Sequence, residues 1–360
     1  MSNPSDTPSS GAPSAPAAAG PEATNRAGLT KNAYEGLPST LCAGCGHDSI
    51  TRNIITAFWD LGVNPRFVAK LSGIGCSSKT PAYFLRESHG FNSVHGRMPS
   101  VATGAKLANR KLHIIGVSGD GDTASIGMGQ FVHTLRRNLD AVYIIENNGV
   151  YGLTKGQFSA TADVGSVLKK GEINELQDID CCITAIQLGC NYVGRSFSGD
   201  SKQLTPLIKG AIGHAGTAIL DVISPCVTFN NHEGSTKSFT AAKAHDIPLH
   251  EIGFHPYFET PQVEIKAGEV REVELPDGSV LTLKKLKDDY DPTDRLRAIE
   301  AILEAKEKKQ LLTGLIYANP KGNVGQVEHH KLVDKPLWSL GEKETRLSKE
   351  IFEKIQNSYR

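Results

Sequence analysis

The sequence of 360 residues has no apolar run approaching the ~20 residues that a membrane-spanning helix needs, so it does not read as a helical membrane protein. It has no charge imbalance either: 39 Lys and Arg stand against 39 Asp and Glu, for a formal net charge of zero. With no long basic run, nothing favours nucleic acid or an anionic membrane surface as a partner. The N-terminal stretch MSNPSDTPSSGAPSAPAAAG lacks both the basic region and the apolar region of a secretory signal. Residues 1–30 are expected to form a disordered tail of Pro, Ala, Ser and Gly, and the chain is expected to be cytoplasmic. Disulfides are rare in that compartment, so the cysteines are expected to hold metal or do redox chemistry.

What the sequence does have is glycine, 36 residues of it, above the usual ~7%. This points to many tight turns where backbone approaches a ligand. The apolar pattern alternates in period. DSITRNIITAFWDLG reads as a helix with Asp48 as N-cap, RFVAKLSGIGC as a strand running into a glycine turn, and PSVATGAKLANRK as a small-residue helix. Then come the strand KLHIIGVSGDGD, the helix TASIGMGQFVHTLRRN and the strand DAVYIIENN, a βαβ unit that implies a parallel sheet. A helix over 180–188, the strand NYVGRSF, the helix SKQLTPLIKGAIGHAG and the strand TAILDVISPC continue the alternation. The expected fold is therefore α/β, a doubly wound, mostly parallel sheet over residues 31–245. Residues 246–360 read as an accessory arm: a hairpin around a Pro-Asp-Gly-Ser turn, a charged amphipathic helix, then a polar tail.

Ligands of open parallel sheets collect beyond the carboxyl ends of the strands. Cys76, Asp120, Asn148 and Cys226 all fall just past such ends, so four widely separated residues are expected on one face. GDGD at 119–122 and the following ENNGVYG suit a diphosphate bound through Mg²⁺: the Asp120 carboxylate, the Asn148 amide oxygen and the Val150 carbonyl are hard oxygen donors. The glycines let backbone N–H groups approach phosphate oxygens. CAGCG at 42–46 is less decisive, since Cys42 and Cys45 suit zinc, with His47 as a further donor, as well as a redox pair or an iron–sulfur cluster. Gly46 interrupts the CxxCH run that c-type haem requires, and no strand precedes the motif as a thioredoxin-like pair would want. Cys181, Cys182 and Cys190 read as buried small hydrophobes on an apolar helix.

The ordered series CAGCG, SGIGCSSKTP, HGRMPSVATGAKLAN, GDGDTASIG, NNGVYGLTKGQ and SPCVTFNNHEGSTKS resembles the β subunit of two-chain 2-oxoacid:ferredoxin oxidoreductases, over about residues 40–240. The resemblance implies a thiamine diphosphate domain that also carries a [4Fe–4S] cluster, with Cys42, Cys45, Cys76 and Cys226 as its ligands. It implies cofactor contacts from Cys76, Ser77, Ser78, His95, Gly96, Arg97, Gly119, Asp120, Gly121, Asp122, Asn148, Val150, Tyr151 and Gly152. Ser77 and Ser78 are equally suited to helix capping, and His95 and Arg97 precede a helix whose N-terminus can face an anion.

Lys79, Leu153 and Lys155 are the expected substrate residues. Relatives acting on pyruvate tend to have glycine where Lys155 stands, and two cations suit a substrate with a distal carboxylate. 2-Oxoglutarate therefore leads over pyruvate and branched 2-oxoacids. The implied reaction is CoA-dependent oxidative decarboxylation with electrons passing to ferredoxin. A non-redox thiamine enzyme and a zinc-stabilised binding module are the competing readings. The glutamate that activates thiamine diphosphate belongs to a separate pyrimidine-binding domain, so an α subunit is the expected partner.

Overall fold

The computed structural model describes residues 23–168, 172–226, 262–274, 280–322 and 324–359. The tail through residue 22, residues 227–261 with the expected boundary at 245, and the Pro-Asp-Gly-Ser turn lie outside the described residues. Residues 23–30 fold back on the body, where the Asn25 side chain donates to Tyr34 Oη and to the Trp59 carbonyl, both at 2.8 Å.

The chain begins with α1 (Gly46–Leu61), β1 (Val68–Ser72), β2 (His89–Asn92), α2 (Met98–Ala108) and β3 (His113–Gly119). A π-helical turn (Gly121–Ile126) then leads into α3 (Met128–Arg137) and β4 (Ala141–Asn147). A small hairpin of β5 (Val150–Tyr151) and β6 (Gln157–Phe158) follows, then α4 (Cys181–Gln187), β7 (Tyr192–Phe197), α5 (Ser201–Gly213) and β8 (Thr217–Ile223). Last come β9 (Val270–Glu274), β10 (Val280–Lys285), α6 (Arg295–Glu307) and β11 (Leu311–Ala318).

Nine strands form one sheet in the order β2-β1-β3-β4-β8-β7-β11-β10-β9. The run from β2 to β7 is parallel throughout. Every residue of β1, β4, β7 and β8 is buried, as strands covered on both faces require. Successive residues of β4 point to opposite sides: Tyr143 and Ile145 join a core with α2, α3, α4 and α6, while Val142 and Ile144 join one with α1 and α5. The expected doubly wound α/β architecture is therefore observed.

Local chemistry sets the helix ends. α1 stops where Gly62 adopts φ 59, its N–H reaching the carbonyls of Phe58 and Trp59. Ile50, Ile54 and Phe58 on its inner face are almost fully buried, and each stabilises by about 1.5–3 kcal/mol.

The structure corrects the expectation at four places. Cys45, not Asp48, is the N-cap of α1. The single helix expected after GDGD is split at Gly127 into the π-turn and α3. β2 was unforeseen, because its four residues are all exposed and carry no apolar pattern. β11, LLTGLIYA, was placed in the polar tail, yet it pairs antiparallel with β7 and parallel with β10, so the hairpin-plus-helix arm continues the main sheet. No helix among the described residues is long and apolar enough to cross a membrane.

Candidate active site

β1, β3, β4 and β8 are consecutive neighbours in the sheet and run parallel, so their carboxyl ends share one edge. Cys76 follows β1, Asp120 follows β3, Asn148 follows β4 and Cys226 follows β8. A cavity of about 310 Å³ opens at this edge. A smaller cavity of about 50 Å³ near Asp178, Arg195 and Lys306 holds little more than water and has none of these strand-end residues.

Asp120, 1% exposed, ends β3 and opens the π-turn, a helical irregularity frequent at functional sites. Its Oδ2 accepts the hydroxyls of Ser159 and of Thr161, the latter at 2.7 Å. Its Oδ1 accepts the Asn148 N–H at 3.2 Å. The Asn148 side-chain oxygen accepts the Val150 N–H at 3.1 Å, which turns the chain into β5. Tyr151 then reaches back to the Gly121 carbonyl at 3.0 Å. A Cβ on Gly121 would fall 2.5 Å from the Tyr151 ring, so the backbone approach here requires glycine.

The cysteines meet at the neighbouring part of the edge. The Cβ position of Gly152 lies 3.5 Å from Cys76 Sγ and 3.6 Å from Cys226 Sγ. Burial raises the Cys76 thiol pKa, and the nearby Cys226 and Cys42 thiols raise it further. Burial also pushes Cys45 well up; the His47 backbone N–H offsets part of this, and Glu146 and Cys226 add to it. Cys181, Cys182 and Cys190 lie apart in the hydrophobic core, as expected.

Of the expected cofactor residues, Cys76, Ser77, Ser78, His95, Gly119, Asp120, Gly121, Asp122, Asn148, Val150, Tyr151 and Gly152 line the cavity. Gly96 and Arg97 do not: the Gly96 N–H donates to Asp122 at 2.6 Å, and the exposed Arg97 folds onto the Gly96 carbonyl. The other Asp122 oxygen accepts the Ser118 hydroxyl, so this carboxylate clamps two loops together. Ser77 and Ser78 bond the carbonyls of Ile74 and Gly75 in their own turn. Leu153 lines the cavity, while Lys79 and Lys155 are exposed, each one residue beyond a lining residue.

Sequence reasoning missed the lining residues Ile74, Gly75 and Thr154, and the supports Ser159, Thr161 and Glu146. Only Glu146, a charge inside an apolar strand, left a signal. His47, the further donor in the zinc reading, lines the cavity, but its Nδ1 is 2.6 Å from Ser224 Oγ and its Nε2 is 3.6 Å from Glu146. Among the described residues, no three His, Cys, Asp or Glu side chains gather as a site for a metal ion.

The cavity lies where ligands of open parallel sheets collect, and the family described as "Thiamine pyrophosphate enzyme, C-terminal TPP binding domain" matches residues 69–222. The 2-oxoacid:ferredoxin oxidoreductase subunit beta of Saccharolobus solfataricus is 44% identical over 193 residues, 53% of this chain and 63% of that protein. The 2-oxoglutarate synthase subunit KorB of Methanocaldococcus jannaschii is 37% identical over 194 residues, 54% of this chain and 71% of that protein. The chain belongs to the family of 2-oxoacid:ferredoxin oxidoreductase β subunits, although it spans less than two thirds of the Saccharolobus relative. The solved 2-oxoglutarate:ferredoxin oxidoreductase of Magnetococcus marinus, with 2-oxoglutarate, coenzyme A and succinyl-CoA bound, superposes with a TM-score of 0.69 at 25% identity. That likeness covers 91% of this chain and 96% of the other.

Proposed function

We propose that the chain is the cofactor-bearing β subunit of a cytoplasmic enzyme that converts 2-oxoglutarate and coenzyme A to succinyl-CoA and CO₂, passing two electrons to ferredoxin. The observation that carries this reading is the shared strand edge, where a carboxylate and an amide suited to Mg²⁺ lie beside Cys76 and Cys226, whose sulfurs both approach Gly152.

The donor set fits each group. Asp120 and Asn148 offer hard oxygens at the cavity wall, and Val150 adds a carbonyl, the donor type that would hold Mg²⁺. Cys42, Cys45, Cys76 and Cys226 would hold a [4Fe–4S] cluster, whose usual ligand set is four thiolates. His47 Nδ1 is hydrogen-bonded to Ser224 and its Nε2 lies nearest the Glu146 carboxyl, which weighs against zinc.

When bound, thiamine diphosphate supplies a nucleophilic carbon and an electron sink for decarboxylation, and the cluster supplies an exit for single electrons. The chain's own residues do the positioning. Asp120 is held by two hydroxyls and an amide, so its orientation is set before Mg²⁺ arrives. Gly121 and Tyr151 close the wall between the two strand ends. Lys79 and Lys155 stand at the rim, where flexible cations can meet the distal carboxylate of a dianion.

An α subunit supplies what this cavity lacks. Of the lining carboxylates, Asp120 is assigned to Mg²⁺ in this reading and Asp122 clamps two loops together, so neither is assigned to the aminopyrimidine ring. Leu153 of the cavity lining is 60% exposed and Val94, next to the lining residue His95, is 71% exposed, apolar surface suited to a partner.

Anaerobic co-purification with the α subunit tests the reading. Iron and sulfide should accompany the complex, and 2-oxoglutarate with coenzyme A should bleach the visible absorbance. Zinc in place of iron, or full activity from this chain alone, would refute it. Lys155→Gly should shift preference from 2-oxoglutarate toward pyruvate.

A further inference from the structure

Glu146 is fully buried near the end of β4 and plays no part in the chemistry above. A buried carboxyl is costly unless it is hydrogen-bonded. Thr80 donates its hydroxyl to this one, with both carboxyl oxygens in reach at 3.2 and 3.0 Å. On its other side Oε2 is 3.6 Å from His47 Nε2, a polar contact longer than a hydrogen bond. His47 Nδ1 in turn is 2.6 Å from Ser224 Oγ.

These four residues come from separate segments. Thr80 lies shortly after Cys76, His47 just after Cys45, and Ser224 just before Cys226. The paired ladder of β4 and β8 ends at Asn147 and Ile223, one further bond runs from the Ser224 N–H to the Asn147 carbonyl, and the segment bearing Cys226 begins just beyond it. The packing is close here: a Cβ on Gly46 would fall 2.5 Å from Ser224 Oγ and 2.6 Å from Ser198 Oγ. The N-terminus of α1 is therefore pressed directly onto the end of β8.

We infer that Glu146 and His47 are positioning residues for the cysteine set, because the row Thr80, Glu146, His47, Ser224 ties together the three segments that carry Cys42, Cys45, Cys76 and Cys226. This rests on the cluster reading and deepens it.

The test uses the full chain co-purified anaerobically with its α subunit, as wild type and as Glu146→Ala, Glu146→Gln, His47→Phe and Cys226→Ala. Three quantities are measured: iron and sulfide per chain, the electron paramagnetic resonance spectrum and midpoint potential of the reduced protein, and thiamine diphosphate affinity. Glu146→Ala and His47→Phe should lower iron content by about tenfold, or alter the spectrum and potential, as loss of a partner behind a metal ligand does. Glu146→Gln should keep most of the iron, and thiamine diphosphate affinity should hold in the two Glu146 variants and in Cys226→Ala, while His47→Phe, at the cavity wall, is read by iron, spectrum and potential. Wild-type iron, spectrum and potential in both Glu146→Ala and His47→Phe would overturn the inference. Should either lose thiamine diphosphate binding through misfolding, Thr80→Val and Ser224→Ala, which each remove one hydroxyl, decide by the same readings. Wild-type protein without iron, indifferent to Cys226→Ala, would instead overturn the cluster reading and this inference with it.

Discussion

Thr161 holds the Asp120 carboxylate from behind: its hydroxyl donates to Oδ2 at 2.7 Å, and both residues are 1% exposed. Thr161 follows the β5–β6 hairpin, so the loop bearing Leu153 and Lys155 is tied to the proposed Mg²⁺ ligand. Thr161→Val removes the donor at nearly constant volume. Affinity of the apoprotein for Mg²⁺ and thiamine diphosphate, measured by calorimetry, should fall about tenfold, with Thr161→Ser retaining most of it. Unchanged affinity in Thr161→Val would show that Asp120 needs no such support.

Gly121→Ala tests the wall of the cavity. The new methyl would meet the Tyr151 ring at 2.5 Å and push it off the Gly121 carbonyl. Overpacking of this kind costs about 1–3 kcal/mol. Denaturant unfolding should show that loss, and thiamine diphosphate affinity should drop with it. The double variant Gly121→Ala/Tyr151→Leu should recover stability, because the ring that collides has been removed.

The parts of this site that were legible in the sequence are those that depend on strand ends. Cys76, Asp120, Asn148 and Cys226 each close an apolar run that could only be a buried strand, and parallel pairing then puts them on one edge. What escaped depends on loop conformation. Ser159 and Thr161 reach Asp120 only because the β5–β6 hairpin turns the chain back, and no spacing rule announces that turn. The contact of Glu146 with His47 joins segments far apart in sequence, so neither residue betrays its partner. β11 was hidden for another reason: LLTGLIYA is a short apolar run whose period does not separate strand from helix.

Lys70 gives a pH-dependent prediction. It sits on β1, 7% exposed, with Nζ donating to the carbonyls of Phe84 and Leu85 at 2.5 and 3.0 Å. Burial lowers its pKa from 10.5 to about 8. Between those values the unfolded chain holds a proton that the folded chain has released, so this group's contribution to stability rises with pH across the window. Below about pH 8 both states are protonated, and the full cost of burying the charge is felt. Unfolding of the wild type and of Lys70→Met should therefore be compared from pH 7 to 10. The wild type should gain on the variant as pH rises, and a constant difference would show that Lys70 titrates normally.

Arg195 anchors the opposite end of the polar layer that supports the site. Its Nε donates to Asp221 Oδ2 at 2.9 Å and its Nη2 to Asp180 Oδ2 at 2.8 Å, with Arg195 5% and Asp221 1% exposed. The other Asp221 oxygen accepts the Asn147 amide at 2.8 Å, and Asn147 contacts Thr161 at 3.1 Å. Replacing Arg195 by Met leaves Asp221 as a buried charge without its cation, and breaking such a pair costs about 3–5 kcal/mol. Asp180 suffers less, because it also caps α4 through the N–H groups of Cys182 and Ile183. Arg195→Met/Asp221→Asn removes both charges while keeping an oxygen for the Asn147 amide, so it should lose much less stability than Arg195→Met alone. Equal losses in the single and double variants would mean that the guanidinium acts by filling space and that Asp221 gains nothing from its charge.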